Sequence, residues 1–253
     1  MKWFEVFPGV TGADPLSDGA LASWPDRAFD DRLHHLRACP VVLTELYQIA
    51  RHFPLVVRDE EGDLTLMADL RSETLRRPAF DASGRFASGY RPLATRLLPF
   101  VATASGGAIR LRDTLSMPEP ERPVALRQQV AQMLQAHAAG HRKLGGAVRL
   151  LIARRYLVSN ETDGDGPGCD WLPAPSSPQG ARQDMAMDSR KEKFLALRLL
   201  AVMEFSAMHR RNAPPRGVVA ERFRDWMSRD EVLRRQTFLS TDEMIDFSHL
   251  TSS

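Results

Sequence analysis

This sequence predicts an α+β protein: a small β-rich N-terminal domain with a covering helix over residues 1–117, followed by a helical domain over 118–253. Three observations carry the prediction. Two short apolar runs at 55–57 and 64–67 flank an acidic loop containing glycine, apolar residues recur at helical spacing beyond residue 124, and three prolines crowd the seven positions 117–123 between the two regions.

Val42, Leu43, Leu46, Ile49 and Ala50 fall at helical spacing, and Pro54 pushes Phe53 out of the helical region, so a helix is expected from Val42 to His52. Leu55 to Val57 and Leu64 to Met67 then form a hairpin through Asp59 to Asp63, and the helix covers the resulting small sheet. The prolines at 118, 120 and 123 disfavour both helix and ladder pairing, which makes that stretch a linker. Beyond it, Val124, Leu126, Val130, Met133 and Leu134 mark a helix over 124–139. Leu144, Val148, Leu151, Ile152 and Leu157 mark a second over 144–158, its start weakened by Gly145 and Gly146 at about 1 kcal/mol each. Glycines and prolines at 163–168 and 173–180 form a long irregular connection. Asp188 is a good N-cap for a helix through Phe194, Leu197, Leu200, Val202, Met203 and Phe205, stopped by Pro214 and Pro215. Its apolar residues wrap most of the circumference, so it is expected at the centre of the helical half. Ser240 to Glu243 carries the capping-box pattern of a last short helix.

Composition limits the function classes. At 253 residues, 43% hydrophobic and 26% charged, the chain lies in the globular range. No apolar run approaches a membrane span, and the first twenty residues hold Asp14, Asp18 and two prolines where a secretory signal would be basic and then apolar, so a cytoplasmic location is expected. Cys39 and Cys169 are too few for a disulfide framework and lack zinc-spaced partners; two buried reduced thiols are expected. The net charge of +2 conceals an uneven distribution: residues 122–155 hold seven basic side chains and no acidic one, whereas 156–189 hold six acidic and one basic.

Two blocks share a pattern with a known family. The first reads Glu45-Leu46-Tyr47-Gln48-Ile49-Ala50-Arg51-His52-Phe53-Pro54-Leu55-Val56-Val57, preceded by Pro40; the second runs from Gly84 through Tyr90, Pro92, Arg96 and Pro99 to Phe100. Over residues 30–115 the chain resembles the SapC-like family of bacterial proteins, with Phe86 where that family usually has tryptophan and Leu98 where it usually has an aromatic residue. The resemblance implies a non-enzymatic binding or accessory protein, linked in the family to bacterial surface layers and acting on another protein or peptide. It also implies an alternative, a helper or participant in oxidative tailoring of a peptide or small molecule, because such proteins associate with halogenase-like and hydroxylase-like partners. The membrane-spanning permeases that share the SapC name are excluded by the lack of a span.

No residue is assigned a catalytic role, and neither metal nor cofactor is expected. The histidines at 34, 35, 52, 137, 141, 209 and 249 include no His-Glu-x-x-His pair, and Asp163, Asp165 and Asp170 lack the remaining ligands of a calcium loop. Ser105-Gly106-Gly107 lacks the ending of a phosphate-binding loop, and no Gly-x-Ser-x-Gly elbow occurs. The candidate ligand-binding group is Glu45, Tyr90 and Arg96, with His52 and Arg91 close in sequence. The competing reading is an internal brace, with Arg96 as a fork donor to Glu45 and the Tyr90 hydroxyl satisfying a backbone group, and the brace is the expectation. Phe53, Pro54, Gly84, Pro92, Pro99 and Phe100 are expected to be structural. Arg142, Lys143, Arg149, Arg154 and Arg155 could meet nucleic acid as a DNA-binding regulator would, but a solvated helix face without interleaved aromatics is favoured.

Overall fold

A computed structural model describes residues 2–25, 29–60, 63–103, 107–114, 119–160, 170–174 and 190–213. Among the described residues, two antiparallel sheets and four α-helices make an α+β fold. The larger sheet is built on the expected hairpin: β3 (Leu55–Glu60) pairs with β4 (Asp63–Asp69) in a register that sets Val57 opposite Leu66. A short strand, β2 (Ala38–Pro40), adds to the far side of β4. On the other side of β3 lies β8 (Asp170–Pro173), followed by β7 (Leu157–Asn160), giving the order β2-β4-β3-β8-β7. Consecutive residues 55–57 and 65–69 are all buried, so the middle of this sheet is covered on both faces. The smaller sheet has the order β1-β6-β5, with β1 (Val10–Pro15), β5 (Phe100–Ala102) and β6 (Ala108–Asp113).

The covering helix forms as a 3-10 turn, Leu43–Glu45, running into α1 (Leu46–Ala50), and Leu46, Ile49 and Ala50 are its buried face. Downstream, the two helices expected over 124–139 and 144–158 are one, α3 (Val124–Ala153). The glycines do not break it. A Cβ at Gly140 would stand 3.2 Å from that of Leu43, so this glycine lets α3 lie close to the turn before α1, whereas Gly145 and Gly146 have room for a Cβ. The propensity cost at Gly145 and Gly146, about 1 kcal/mol each, is outweighed by the burial of Leu144, Ala147, Val148 and Leu151 around them. The helix ends before Arg155, whose φ of 58° is left-handed, and Leu157 and Val158 enter β7 instead of continuing it.

The last described helix, α4 (Arg190–Ser206), is buried at every position from 196 to 203 except Arg198, in keeping with its all-round apolar sequence. It packs on α3 and α1 and reaches β3 and β8. Ser206 anchors its end by donating to the Met203 carbonyl while accepting from the Leu55 amide at 2.8 Å. One apolar core extends from Trp3 to Met203, and β7 and β8, from the half expected to be helical, complete a sheet begun at β2. Sheet and core therefore both draw on residues from either side of 117/118. The boundary itself, Asp188, the irregular stretches 163–168 and 175–180, Cys169, His249 and the 240–243 capping box lie outside the described residues. Cys39 is a buried free thiol.

Candidate functional site

Glu45 ends the 3-10 turn before α1 and is only 7% exposed. The second sequence block curls back over it. Gly84 takes φ +78°, a left-handed turn in which Asp81 accepts from the amides of Ser83 and Arg85, and a Cβ there would stand 3.1 Å from His34 Nδ1. The chain then passes Tyr90 and Pro92 into a one-turn helix, α2 (Leu93–Arg96), for which Pro92 is the N-cap. Pro92 carries no amide hydrogen, and the next orphan donor, the Leu93 amide, donates a hydrogen bond to Glu45 Oε2 at 2.9 Å. The Tyr90 hydroxyl donates to the same oxygen at 2.6 Å, and the Val42 amide donates to Oε1 at 3.4 Å. One carboxylate thus joins the start of α1 to the start of α2.

Glu45 is hydrogen-bonded within the fold, but by different partners from those expected. Arg96 makes no ion pair with Glu45: it is exposed at the solvent end of α2 and reaches the carboxylate only through its field. The Tyr90 hydroxyl satisfies the carboxylate and not a backbone group. Arg91 pairs with Asp30 at 2.6 Å and donates to the Thr95 carbonyl at 2.8 Å, tying α2 to the N-terminal region. His52 stacks on Tyr90, ring centroids 5.1 Å apart and planes 9° from parallel. Glu45, Tyr90 and His52 therefore come together, Arg96 acts on the first two without a bond, and Arg91 is engaged by Asp30 and the Thr95 carbonyl.

Burial raises the Glu45 carboxyl above the ordinary range, while the hydrogen bonds from Tyr90, Leu93 and Val42 hold the rise back. Burial and the neighbouring carboxylate push the Tyr90 phenol far up, so it stays protonated and remains a donor. Glu45 Oε2 is filled by two protein donors, while Oε1 accepts one long bond from the Val42 amide, so three of the four acceptor sites of the carboxylate face donors of the fold.

The remaining motif residues are packing elements. Phe53 is buried against Phe86, ring centroids 5.8 Å apart, and Phe86 against Phe80 at 4.7 Å. The Pro54 carbonyl accepts from the Asp69 amide and the Pro99 carbonyl from the Leu111 amide, each at 2.9 Å. Phe100 is 1% exposed and meets Trp24 edge to face at 5.3 Å, inside a second core with Leu93, Leu97, Val130 and Leu134.

Sequence reasoning missed a charged cluster on the larger sheet. Asp69, fully buried at the end of β4, accepts from Arg71 Nε at 2.8 Å, from Arg71 Nη2 at 2.9 Å and from the Thr74 hydroxyl at 3.1 Å. Arg71 bridges onward to Asp170 at 2.5 Å, and Arg58 meets Asp170 at 3.1 Å. Asp170, weighed above as a calcium ligand, is thus engaged by two guanidinium groups, while Asp163 and Asp165 lie outside the described residues. Burial alone would raise the Asp69 carboxyl, but the Arg71 bonds prevail and hold it below the ordinary range. The five basic residues weighed for nucleic acid, from Arg142 to Arg155, are exposed.

His137 and His141 lie one turn apart on α3, and His137 is 4% exposed. Burial, with a smaller effect from His141, lowers the His137 imidazole from 6.5 to about 4. The folded state keeps it neutral while the unfolded chain takes up a proton below pH 6.5, so its contribution is complete above 6.5 and is lost as pH falls toward 4. We predict that His137→Gln removes roughly 2–3 kcal/mol of the stability difference between pH 7 and pH 4. Urea denaturation at both pH values checks this, and an acid limb as steep in the variant as in wild type would refute it.

No family model, curated protein or solved structure matches this chain, so the SapC-like resemblance rests on the residues of the two sequence blocks. No described helix is long and apolar enough to cross a membrane.

Proposed function

We propose that this chain is a non-enzymatic binding or accessory protein of the SapC-like, surface-layer-related type, acting on another protein or peptide in the bacterial cytoplasm. One observation carries the reading: the carboxylate at the centre of the motif is spent on Tyr90, Leu93 and Val42 within the fold. A group used in this way holds a surface in shape. In the chain, Arg85 and Arg96, both exposed, stand on either side of the two residues, Tyr90 and Leu93, that bind this carboxylate.

The test is affinity capture from the native cell with wild type and with the double variant Arg85→Glu/Arg96→Glu. Because both side chains are exposed, the variant should melt within a few degrees of wild type. It should retain about tenfold less of any partner, since charge reversal at an interface acts against association. Equal capture by both proteins overturns the reading. A halogenase-like or hydroxylase-like captured partner moves the protein to the alternative role, as a helper in oxidative tailoring.

A further inference from the structure

We propose that Arg210, together with Arg71, forms a binding site for a small oxyanion, a phosphate or a carboxylate, on the larger sheet. The backbone places Arg210 there. Just after α4 and its 3-10 extension (Ala207–His209), the chain runs antiparallel to the segment following β4, with the Arg76 amide donating to the His209 carbonyl at 2.9 Å and the Arg211 amide to the Thr74 carbonyl at 2.8 Å. Arg210 thus joins a cluster whose two carboxylates are already claimed: Asp69 by Arg71 and Thr74, and Asp170 by Arg58 and Arg71.

Among the described residues the cluster holds three guanidinium groups, Arg58, Arg71 and Arg210, against two carboxylates, leaving one positive charge in excess. A guanidinium cannot lose its proton to escape burial, so that charge needs a counter-charge. Arg210 Nη2 is buried and has no hydrogen-bond acceptor. Burial, opposed by Asp69 and Asp170 and reinforced by Arg71, lowers the affinity of this group for its own proton, consistent with a cation short of an anion. Access exists at the rim, where the side chains of Arg58 and Arg71 are each 18% exposed. The paired N–H groups of a guanidinium match the two oxygens of a carboxylate or a phosphate equally well, which sets the ligand class.

The site is independent of the Glu45 brace and stands or falls on its own measurement. Wild type is titrated calorimetrically with inorganic phosphate and, separately, with acetate, ionic strength being held constant with chloride. Saturable binding is expected, and the anion that binds tighter distinguishes a phosphate site from a carboxylate site. Arg210→Gln should weaken it about tenfold or more, and Arg210→Lys should fall between, because it keeps the charge but not the fork. Phosphate also stabilises proteins without binding, by exclusion from their surface. A rise in melting temperature that does not saturate and is equal in wild type and Arg210→Gln is that effect, and it overturns the proposal. Should Arg210→Gln fail to fold, the wild-type titration decides, and the absence of saturable heat with both anions overturns the proposal equally.

Discussion

Phe100→Ala is expected to lower the free energy of unfolding by about 3–5 kcal/mol. The ring is 1% exposed and lies where β5, α2 and the N-terminal half of α3 meet, against Trp24 at 5.3 Å and beside Leu93, Leu97, Val130 and Leu134. Truncation removes the transfer energy of the ring and leaves a cavity lined by groups from separate elements, which cannot all close in together. Denaturant titration measures the change. A loss below about 1 kcal/mol would mean that the second core does not hold α3 to the smaller sheet.

An effect of similar size is expected from Asp69→Ala. Asp69 is fully buried and accepts three hydrogen bonds from Arg71 and one from Thr74. Its removal leaves Arg71, largely enclosed, with Asp170 as its remaining anion, and breaking a buried pair from one side costs about 3–5 kcal/mol. The double variant Asp69→Ala/Arg71→Met should recover part of this loss, because it removes the charge that Asp69→Ala strands on Arg71. A double variant less stable than the single one would show that Arg71 contributes mainly through contacts other than Asp69.

The parts of the fold legible in the sequence are those set by local chemistry. Apolar runs on either side of a short acidic loop gave the β3–β4 hairpin, and apolar spacing gave α1, α3 and α4. The continuity of α3 was not legible, because the cost of Gly145 and Gly146 is local whereas the burial of Leu144, Val148 and Leu151 and the close approach of Gly140 to Leu43 depend on residues far away in the chain. Leu157 fits a helical period as well as a strand, so β7 was hidden inside the expected second helix. At the site, Glu45 and Tyr90 were found together, but charge complementarity suggested Arg96 as the partner, where helix geometry supplied the Leu93 amide. The Asp69 cluster gave no sign at all: residues 58, 69, 71, 170 and 210 come from four separate stretches, and only the sheet order β4-β3-β8 and the return of the chain after α4 unite them.

The central claim, that the motif carboxylate is an internal brace, is tested most directly by comparing the unfolding free energies of Glu45→Gln, Arg96→Lys and wild type in urea at neutral pH. In Glu45→Gln one acceptor oxygen becomes an NH2 group facing a donor, either the Val42 amide or the Tyr90 and Leu93 pair. The account predicts a loss of about 1–3 kcal/mol for Glu45→Gln and a change within ~0.5 kcal/mol for the exposed Arg96→Lys. Wild-type stability in Glu45→Gln would contradict it, and would make Glu45 a group held ready for a ligand.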